Sequence, residues 1–465
     1  MIFALFAAAL MQVSAPQADT LEAPVVITLE QALQIALEEN ASVKVADMEI
    51  EKTGYARKGS YAALFPTLDG SGSYQRTIKK QVMYMDFSYG SSSSDSSSDS
   101  SDDSSYSSYT SSGGGIEVGR WNTWSTGISS SMPLVNVQLW ESLKVSDLDV
   151  ELAVEKARSS RLEMVTQVKQ AFFACLLARE SYEVMKSVYD NAVENLEQTQ
   201  KKYNAQRASE LDLARAKTSV ANAVPNVYDA ESSKFLTLWQ LKAVMGVDLD
   251  ANIDISGSLD DYASHMLYDF NEAGELDLAD NSTMRQIAIQ AEELAAAVRV
   301  QKAACLPSLA VAFSYSVNAM TNDFNFSEYH WSPYSYVGLS LSIPIFAGGK
   351  RYNAIRQAQV QEAELAVQAA DTERQLKISI RQYLNQMETA TKSYGSALSA
   401  QESARKAYDI ASKSYNVGRS TLTDLNDAQL ALTQADLNVA QAVYTFVVAK
   451  ASLEGVLGTD FITEE

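Results

Sequence analysis

Two short turns in the chain carry the carboxylate and hydroxyl side chains that could do chemistry. Each turn has tyrosine–asparagine, then an arginine, a hydroxyl residue and an aspartate in the same order. The two copies span residues 203–212 and 415–424. Ser209 and Asp212 in the first copy, and Thr421 and Asp424 in the second, have the spacing of a helix capping box. Asp427 lies three residues beyond Asp424, so both carboxylates fall on one helix face, where they could attract cations. Capping and cation attraction do not exclude each other.

Other arrangements that would bind a ligand or catalyse a reaction are missing from the sequence. The two histidines, His265 and His330, lie far apart, and no Ser-His-Asp order or histidine cluster occurs. Gly348-Gly349-Lys350 lacks the first glycine and the final hydroxyl residue of a phosphate-binding loop. The formal net charge of -21 argues against binding to nucleic acid, whose phosphates need a basic surface. We therefore expect no enzymatic activity, no cofactor and no metal site.

Long helices must position the two turns. Before each turn, apolar or small residues recur at alternating steps of four and three, which is a heptad pattern. The second of these helices, from Gly349 to about Tyr415, would measure roughly 100 Å at about 1.5 Å per residue, which suits a protein that crosses a wide compartment. Cys175 occupies the heptad position of Met387 in the second half, so we predict that it is a packing residue. Shorter heptad helices follow both turns, and Pro225 predicts a kink in the first of them.

The period of the apolar residues changes from helical to strand-like after Pro66 and after Pro307. Strands of about ten residues follow, each with one apolar face and one small or polar face, most clearly at 309–317 and 337–343. This alternation is typical of a transmembrane barrel, although a soluble half-buried hairpin produces it as well. Aromatic residues such as Trp331 collect at the far ends of the hairpins, resemble an interfacial girdle and favour the barrel.

The chain contains an internal repeat. Asn40 to Pro66 and Asn281 to Pro307 have the same spacing, and both passages lead from a helix into a strand. An apolar N-terminal run followed by small residues predicts a secretory signal peptide, and a Ser- and Asp-rich segment predicts a disordered polar loop. The predicted segments are a signal peptide at 1–18, a first repeat at 19–246 with a hairpin at 66–133 and its loop at 90–115, an equatorial linker at 247–280 with small strands or short helices, and a second repeat at 281–465 with a hairpin at 307–344.

Together these features resemble the TolC-type outer-membrane efflux protein family. The resemblance covers nearly the whole mature chain and rests on the repeat, the Leu/Phe-Pro-x-Leu strand entries, the passage from Pro344 to Gly349 and the two turns. It implies an α+β membrane protein in which long heptad helices form a trimeric periplasmic α-barrel. This barrel joins a twelve-stranded transmembrane β-barrel to which each chain contributes four strands. Four strands cannot close a barrel alone, and an open strand edge is not tolerated in lipid. A closed barrel therefore needs strands from several chains.

The resemblance implies a function as well. The chain would be the outer-membrane exit duct of a tripartite efflux or type I secretion system, a passive channel that spans into the periplasm. Its partners would be two further copies of itself, outer-membrane lipid, a periplasmic adaptor (membrane fusion) protein and an inner-membrane pump. The adaptor and pump would open the periplasmic tip. The alternative is a structural coiled-coil surface protein or adhesin, because heptads and a Ser/Asp-rich loop would suit that class too.

The resemblance also assigns roles to the two turns. Asp424 and Asp427 match two acidic positions that ring the narrow periplasmic entrance. Three chains would place six carboxylates there, which should favour cations and raise some of the carboxyl pKa values by crowding. Tyr415 and Asp212 match a pair that ties the closed tip together. The predicted pore or gate residues are Asp424, Asp427, Asp212, Tyr415 and Arg419.

The details of this tip network differ from the family pattern. The family's arginine falls on Ser420, and Arg419 lies one residue early. Gln206 stands where the second copy has Gly418, which predicts two turns of different shape. Both turns are also predicted to contact the adaptor, through Tyr203, Arg207, Ser209, Gly418 and Ser420.

Overall fold

The computed structural model describes residues 24–83, 116–266 and 278–458. The predicted signal peptide at 1–18, the polar loop at 90–115 and part of the predicted linker lie outside these residues. Among the helices of the described segments, none is both long and apolar enough to cross a membrane. The helices are α1 (Leu29–Glu39), α2 (Ala41–Ala62), α3 (Val137–Asn204), α4 (Glu210–Met245), α5 (Leu259–Ala263), α6 (Ser282–Ala303), α7 (Lys350–Asn416) and α8 (Leu422–Leu457). The strands are β1 (Val25–Ile27), β2 (Thr67–Arg76), β3 (Gln81–Met83), β4 (Ile116–Val118), β5 (Asn122–Val135), β6 (Ile253–Ile255), β7 (Ser308–Thr321) and β8 (Ser332–Ser342).

The helix lengths repeat between the two halves of the chain. The long helices α3 and α7 have 68 and 67 residues, and α4 and α8 have 36 residues each. The long heptad helices and the two-fold repeat are therefore confirmed. Helix α4 continues through Pro225 without ending. The described part of the predicted linker contains β6, α5 and a 3-10 helix at Ser264–Met266.

Equivalent asparagines join the helices in the two repeats. The Asn40 side-chain amide donates to the Val244 carbonyl at 2.6 Å, and the Asn281 amide donates to the Val456 carbonyl at 2.6 Å. The same side chains cap the helices that follow them. Asn40 Oδ1 accepts from the Ser42 N–H, and Asn281 Oδ1 accepts from the Met284 N–H. Each asparagine thus fixes the start of one helix against the end of another.

One compact unit comprises Met1–Tyr55, Asp147–Ala295 and Val360–Glu465. Its core is built where the heptad faces of α3, α4, α7 and α8 meet, and Phe172, Leu176, Met387 and Phe446 are almost fully buried there. Cys175 belongs to the same core, and burial raises the pKa of its thiol to about 11. The prediction that Cys175 is a packing residue is confirmed, since a buried thiol of this kind is unreactive.

The second compact unit comprises Ala56–Ser146 and Ala296–Gln359 and contains the main sheet. Its four antiparallel strands have the order β2-β5-β7-β8, so the two hairpins pair through β5 and β7. The register places apolar residues on one face, where Leu309 is opposite Leu341 and Val311 is opposite Leu339. Much of this face is uncovered in a single chain, since Val337 is 72% exposed and Leu339 is 70% exposed.

Aromatic residues gather at the end of this sheet away from the helices. The rings of Tyr74 and Trp124 lie 4.3 Å apart between centroids, and Trp124 and Phe326 lie 5.1 Å apart. Phe326 continues the cluster to Tyr329, at 4.9 Å, and Tyr329 lies 6.3 Å from Trp331. Such a cluster at one end of an apolar sheet face has the composition of a membrane-interface girdle.

Candidate functional site

The two tip turns have the same backbone shape. In the first turn the Arg207 N–H donates to the Lys202 carbonyl at 2.7 Å, and in the second the Arg419 N–H donates to the Ser414 carbonyl at 2.8 Å. Both bonds close a Schellman turn, which needs one residue in the left-handed region. Gly418 has a φ of 76°, and Gln206 has a φ of 60°. The prediction of two differently shaped turns is therefore wrong, because the closing hydrogen bonds impose the left-handed conformation whichever side chain is present.

Both predicted capping boxes are confirmed. In the first, the Ser209 hydroxyl donates to the Asp212 carboxylate at 2.7 Å and accepts from the Asp212 N–H at 3.1 Å. In the second, the Thr421 hydroxyl donates to Asp424 at 2.7 Å, and the Thr421 N–H donates to the same carboxylate oxygen at 2.9 Å. These two bonds, the hydroxyl bond first, lower the pKa of Asp424. The carboxylate is thus ionised and exposed while it caps α8.

Asp427 lies one helical turn further along α8 and is exposed. Its equivalent in the first repeat is Arg215, whose guanidinium donates to the Thr423 hydroxyl at 3.4 Å. The Arg215 guanidinium, from α4, therefore lies at the beginning of α8. Its partner Thr423 is next to Asp424 in the sequence and four residues before Asp427. A ring of six carboxylates needs other copies of the chain and stays a prediction.

Tyr415 joins the two helical hairpins of one chain, which are the helix pairs α3–α4 and α7–α8 connected by the two turns. Its side chain is only 7% exposed, and its hydroxyl lies 2.6 Å from the Thr199 hydroxyl on α3. The Lys202 ammonium lies 3.9 Å from the centre of the Tyr415 ring and donates to the Tyr415 carbonyl at 2.8 Å. Burial lowers the pKa of this lysine. Ala216, Leu422 and Leu425 pack into the same cluster.

The structure thus gives Tyr415 partners that the sequence did not suggest. Within one chain, the hydrogen bonds described for Asp212 go to Ser209, and the Tyr415 hydroxyl pairs with Thr199. A bond between Tyr415 and Asp212 stays a prediction for the assembled tip. One signal for Thr199 was available: it is a hydroxyl residue at a core heptad position where the second repeat has Ala411.

Four of the five residues predicted to contact an adaptor are exposed on the turns, and Ser420 is the exception. Tyr203, the equivalent of Tyr415, is 38% exposed, and Arg207 and Gly418 are exposed as well. Ser420 is partly buried, and its hydroxyl donates to the Ala411 carbonyl at 3.3 Å. The two tyrosines of the repeat therefore differ: one is a core residue, and the other is available to a partner.

Comparison with known sequences decides the family. A sequence profile described as outer membrane efflux protein matches residues 32–247 and 275–459. The chain belongs to the outer membrane efflux protein family. Outer membrane protein TolC of Vibrio cholerae is 21% identical over 341 residues, which are 72% of this chain and 76% of TolC. The alkaline protease secretion protein AprF of Pseudomonas aeruginosa is 22% identical over 332 residues, which are 71% of this chain and 69% of AprF.

A solved structure has the same fold. The outer membrane channel CmeC of Campylobacter jejuni superimposes with a TM-score of 0.71 at 19% identity, covering 92% of this chain and 85% of CmeC. The predicted fold class, a TolC-like channel fold of long helices joined to barrel strands, is confirmed. As an outer membrane efflux protein, the chain is located in the outer membrane and acts as an exit duct for efflux or secretion. Members of this family are channels, which agrees with the prediction that the chain is not an enzyme.

Proposed function

We propose that this outer membrane efflux protein works as a homotrimer whose tip turns close the periplasmic end of the duct. The observation that carries the proposal is the four-stranded sheet, in which β2 and β8 each have one edge without a partner strand among the described residues. Unpaired strand edges in hydrocarbon cost several kcal/mol per backbone group, roughly, so the edges must be paired by other copies. Three copies supply twelve strands, which is enough to enclose a lumen.

The tip geometry supports a closed resting state. Within one chain the two hairpins are joined by a buried hydrogen bond from Tyr415 and by Lys202, so that each chain presents a fixed tip rather than two independent hairpins. A periplasmic adaptor protein and an inner-membrane pump would open this tip, through contacts with the exposed faces of Tyr203, Arg207 and Gly418. The exported substrate would be selected by the pump. The alternative, a structural coiled-coil surface protein or adhesin, is disfavoured by the family assignment.

Single-channel recording of the purified protein tests the duct and its entrance together. We expect a stable oligomer of three chains that forms cation-selective channels blocked by multivalent cations. Asp424→Ala combined with Asp427→Ala should lower both the selectivity and the block, because it removes the six carboxylates from the entrance. Glu373→Ala combined with Glu388→Ala is the matched control, since it removes the same charge from exposed positions of α7 away from the turns and should leave both properties unchanged. Unchanged selectivity and block in the double variant would refute the ring, and a protein without channel activity would refute the duct.

A further inference from the structure

The stretches that join the helices to the main sheet are strongly basic. These four stretches, all in the second compact unit, are residues 56–66, 136–146, 296–307 and 344–359. They contain eight basic residues and one acidic residue, Glu141, although the chain has a net charge of -21. We call the eight the basic belt: Arg57, Lys58, Lys144, Arg299, Lys302, Lys350, Arg351 and Arg356.

The topology brings the basic belt to one end of the sheet, where the strands meet the helices. The register pairs Thr67 with Ser131 and Ser308 with Ser342, so β2 and β7 begin where β5 and β8 end. Helices α2 and α6 end just before β2 and β7, and α3 and α7 begin just after β5 and β8. The opposite end of the sheet carries Tyr74 and the rest of the aromatic cluster. The belt therefore borders the sheet at its helical end.

The basic residues at the start of α7 are placed against the helix dipole. Lys350 and Arg351 are the first two residues of α7, and the first turn contains no acidic residue. The partial positive charge of a helix N-terminus favours acidic residues there, so these two cations reduce the stability of the isolated helix. Their position is explained if an anion outside the chain compensates them.

Large apolar side chains next to the basic belt are exposed. Ile345 and Phe346 lie five and four residues before Lys350 and are 92% and 86% exposed. In the first repeat, Phe65 directly precedes Pro66 and is 66% exposed. Guanidinium groups lie over tyrosine rings in both repeats, Arg57 over Tyr61 at 5.6 Å and Arg356 over Tyr352 at 5.4 Å. Apolar side chains followed by tyrosine and cationic heads match the layers of a membrane interface, from acyl chains to phosphates.

We propose that the basic belt binds the phosphate groups of anionic phospholipids in the periplasmic leaflet of the outer membrane. Ile345, Phe346 and Phe65 insert among the acyl chains at the end of the sheet. Lys144 and Arg299 pair with Glu141 at 2.7 and 3.2 Å, so the phosphates are bound chiefly by the belt residues at the start of α7. The heads of Lys350, Arg351 and Arg356 extend to the headgroup phosphates, which arginine binds through paired hydrogen bonds. The belt thus sets the depth of the sheet in the bilayer and selects the lipids around it. This inference goes beyond the exit duct and does not depend on how the tip opens.

Lipid selectivity of the full chain tests the proposal. The protein is reconstituted into phosphatidylcholine vesicles doped with spin-labelled phosphatidylglycerol or spin-labelled phosphatidylcholine, and the immobilised lipid fraction is measured by electron paramagnetic resonance. We expect the parent to prefer phosphatidylglycerol by about five-fold, and we expect added salt to reduce this preference. The belt variant Lys350→Gln, Arg351→Gln, Arg356→Gln should show less than about a two-fold preference.

Two further variants control for charge and folding. Lys377→Gln, Lys392→Gln, Lys406→Gln removes the same charge from exposed positions of the same helix in the other unit and should behave as the parent. Lys350→Arg, Arg351→Lys, Arg356→Lys keeps the belt charge and should keep the preference. An absent preference in the parent, or an undiminished one in the belt variant, would overturn the proposal. So would an altered ion selectivity of the channel with unchanged lipid preference, which would place the belt in the lumen. Dissociation of the oligomer in the belt variant alone would place it between copies. Channel conductance in the same vesicles reports on the duct separately.

Discussion

Removing the Tyr415 hydroxyl should loosen the tip by an amount that the structure allows us to work out. The hydroxyl lies 2.6 Å from the Thr199 hydroxyl, and Thr199 is fully buried. Losing a neutral hydrogen bond costs about 1 kcal/mol, and leaving the buried partner unsatisfied raises the cost to about 3 kcal/mol. Tyr415→Phe keeps the ring, so the contact with the Lys202 ammonium and the apolar packing remain.

Hydrogen exchange of the reconstituted protein measures this cost locally. Because about 1.4 kcal/mol corresponds to a tenfold change in an equilibrium, amides of residues 411–425 and 196–212 should exchange roughly five- to one-hundred-fold faster in Tyr415→Phe. The core around Phe172 should be unaffected. Tyr203→Phe is the matched control, because Tyr203 is the exposed equivalent in the first repeat and should change exchange by less than about two-fold. In cells, Tyr415→Phe should also increase leakage of antibiotics or dyes.

A double-mutant cycle separates the hydrogen bond from general damage. Thr199→Val removes the other hydroxyl at nearly constant volume, and the double variant leaves no buried polar group unsatisfied. We expect the double variant to lose less than the sum of the single losses, with a coupling of roughly 1 kcal/mol. Additive losses, or exchange rates equal to those of the parent in Tyr415→Phe, would refute the assignment of this bond as the link between the hairpins.

Three further predictions concern the turns and helix ends. Gln206→Gly should stabilise the first turn by roughly 0.5–1 kcal/mol. It relieves about 1–2 kcal/mol of backbone strain from the left-handed conformation of Gln206, and the greater entropy of glycine in the unfolded chain offsets part of this gain. Slower hydrogen exchange at 203–209 would support the prediction, and faster exchange would contradict it. Gly458→Ala should lower the thermal midpoint more than Gly418→Ala, because both glycines have positive φ but a Cβ at 458 would clash with the Asp280 carbonyl, whereas a Cβ at 418 would have no described atom within 4 Å. Equal shifts would argue against the clash. The lowered pKa of Asp424 means that the second capping box stabilises α8 above the ordinary aspartate pKa of about 3.9 and loses this contribution as the pH falls through the lowered value. Exchange at the start of α8, divided by the exchange rate of an unstructured chain at the same pH, should therefore rise on acidification in the parent and be nearly independent of pH in Asp424→Asn.

Features that depend on nearby residues could be predicted well. The capping boxes join residues three apart, so Ser209 with Asp212 and Thr421 with Asp424 are visible as a spacing. The strand faces follow from alternation, and Cys175 follows from the heptad pattern. The shape of the first turn is also local, but glycine preference alone predicts it wrongly, because this preference ignores the hydrogen bonds that close the turn. Gln206 shows that those bonds outweigh the intrinsic preference.

By itself, the sequence determined the repeat, the long heptad helices, the four strands, the caps at the tip and the family to which they point. Only the tertiary structure decided which distant residues meet. Thr199 and Lys202 contact Tyr415 across more than two hundred residues, and β5 of one hairpin pairs with β7 of the other. The heptad and strand periods specify which face of each element is buried. They do not specify which other element covers it, because every apolar face in the chain gains comparably from burial and the choice is made by packing and topology.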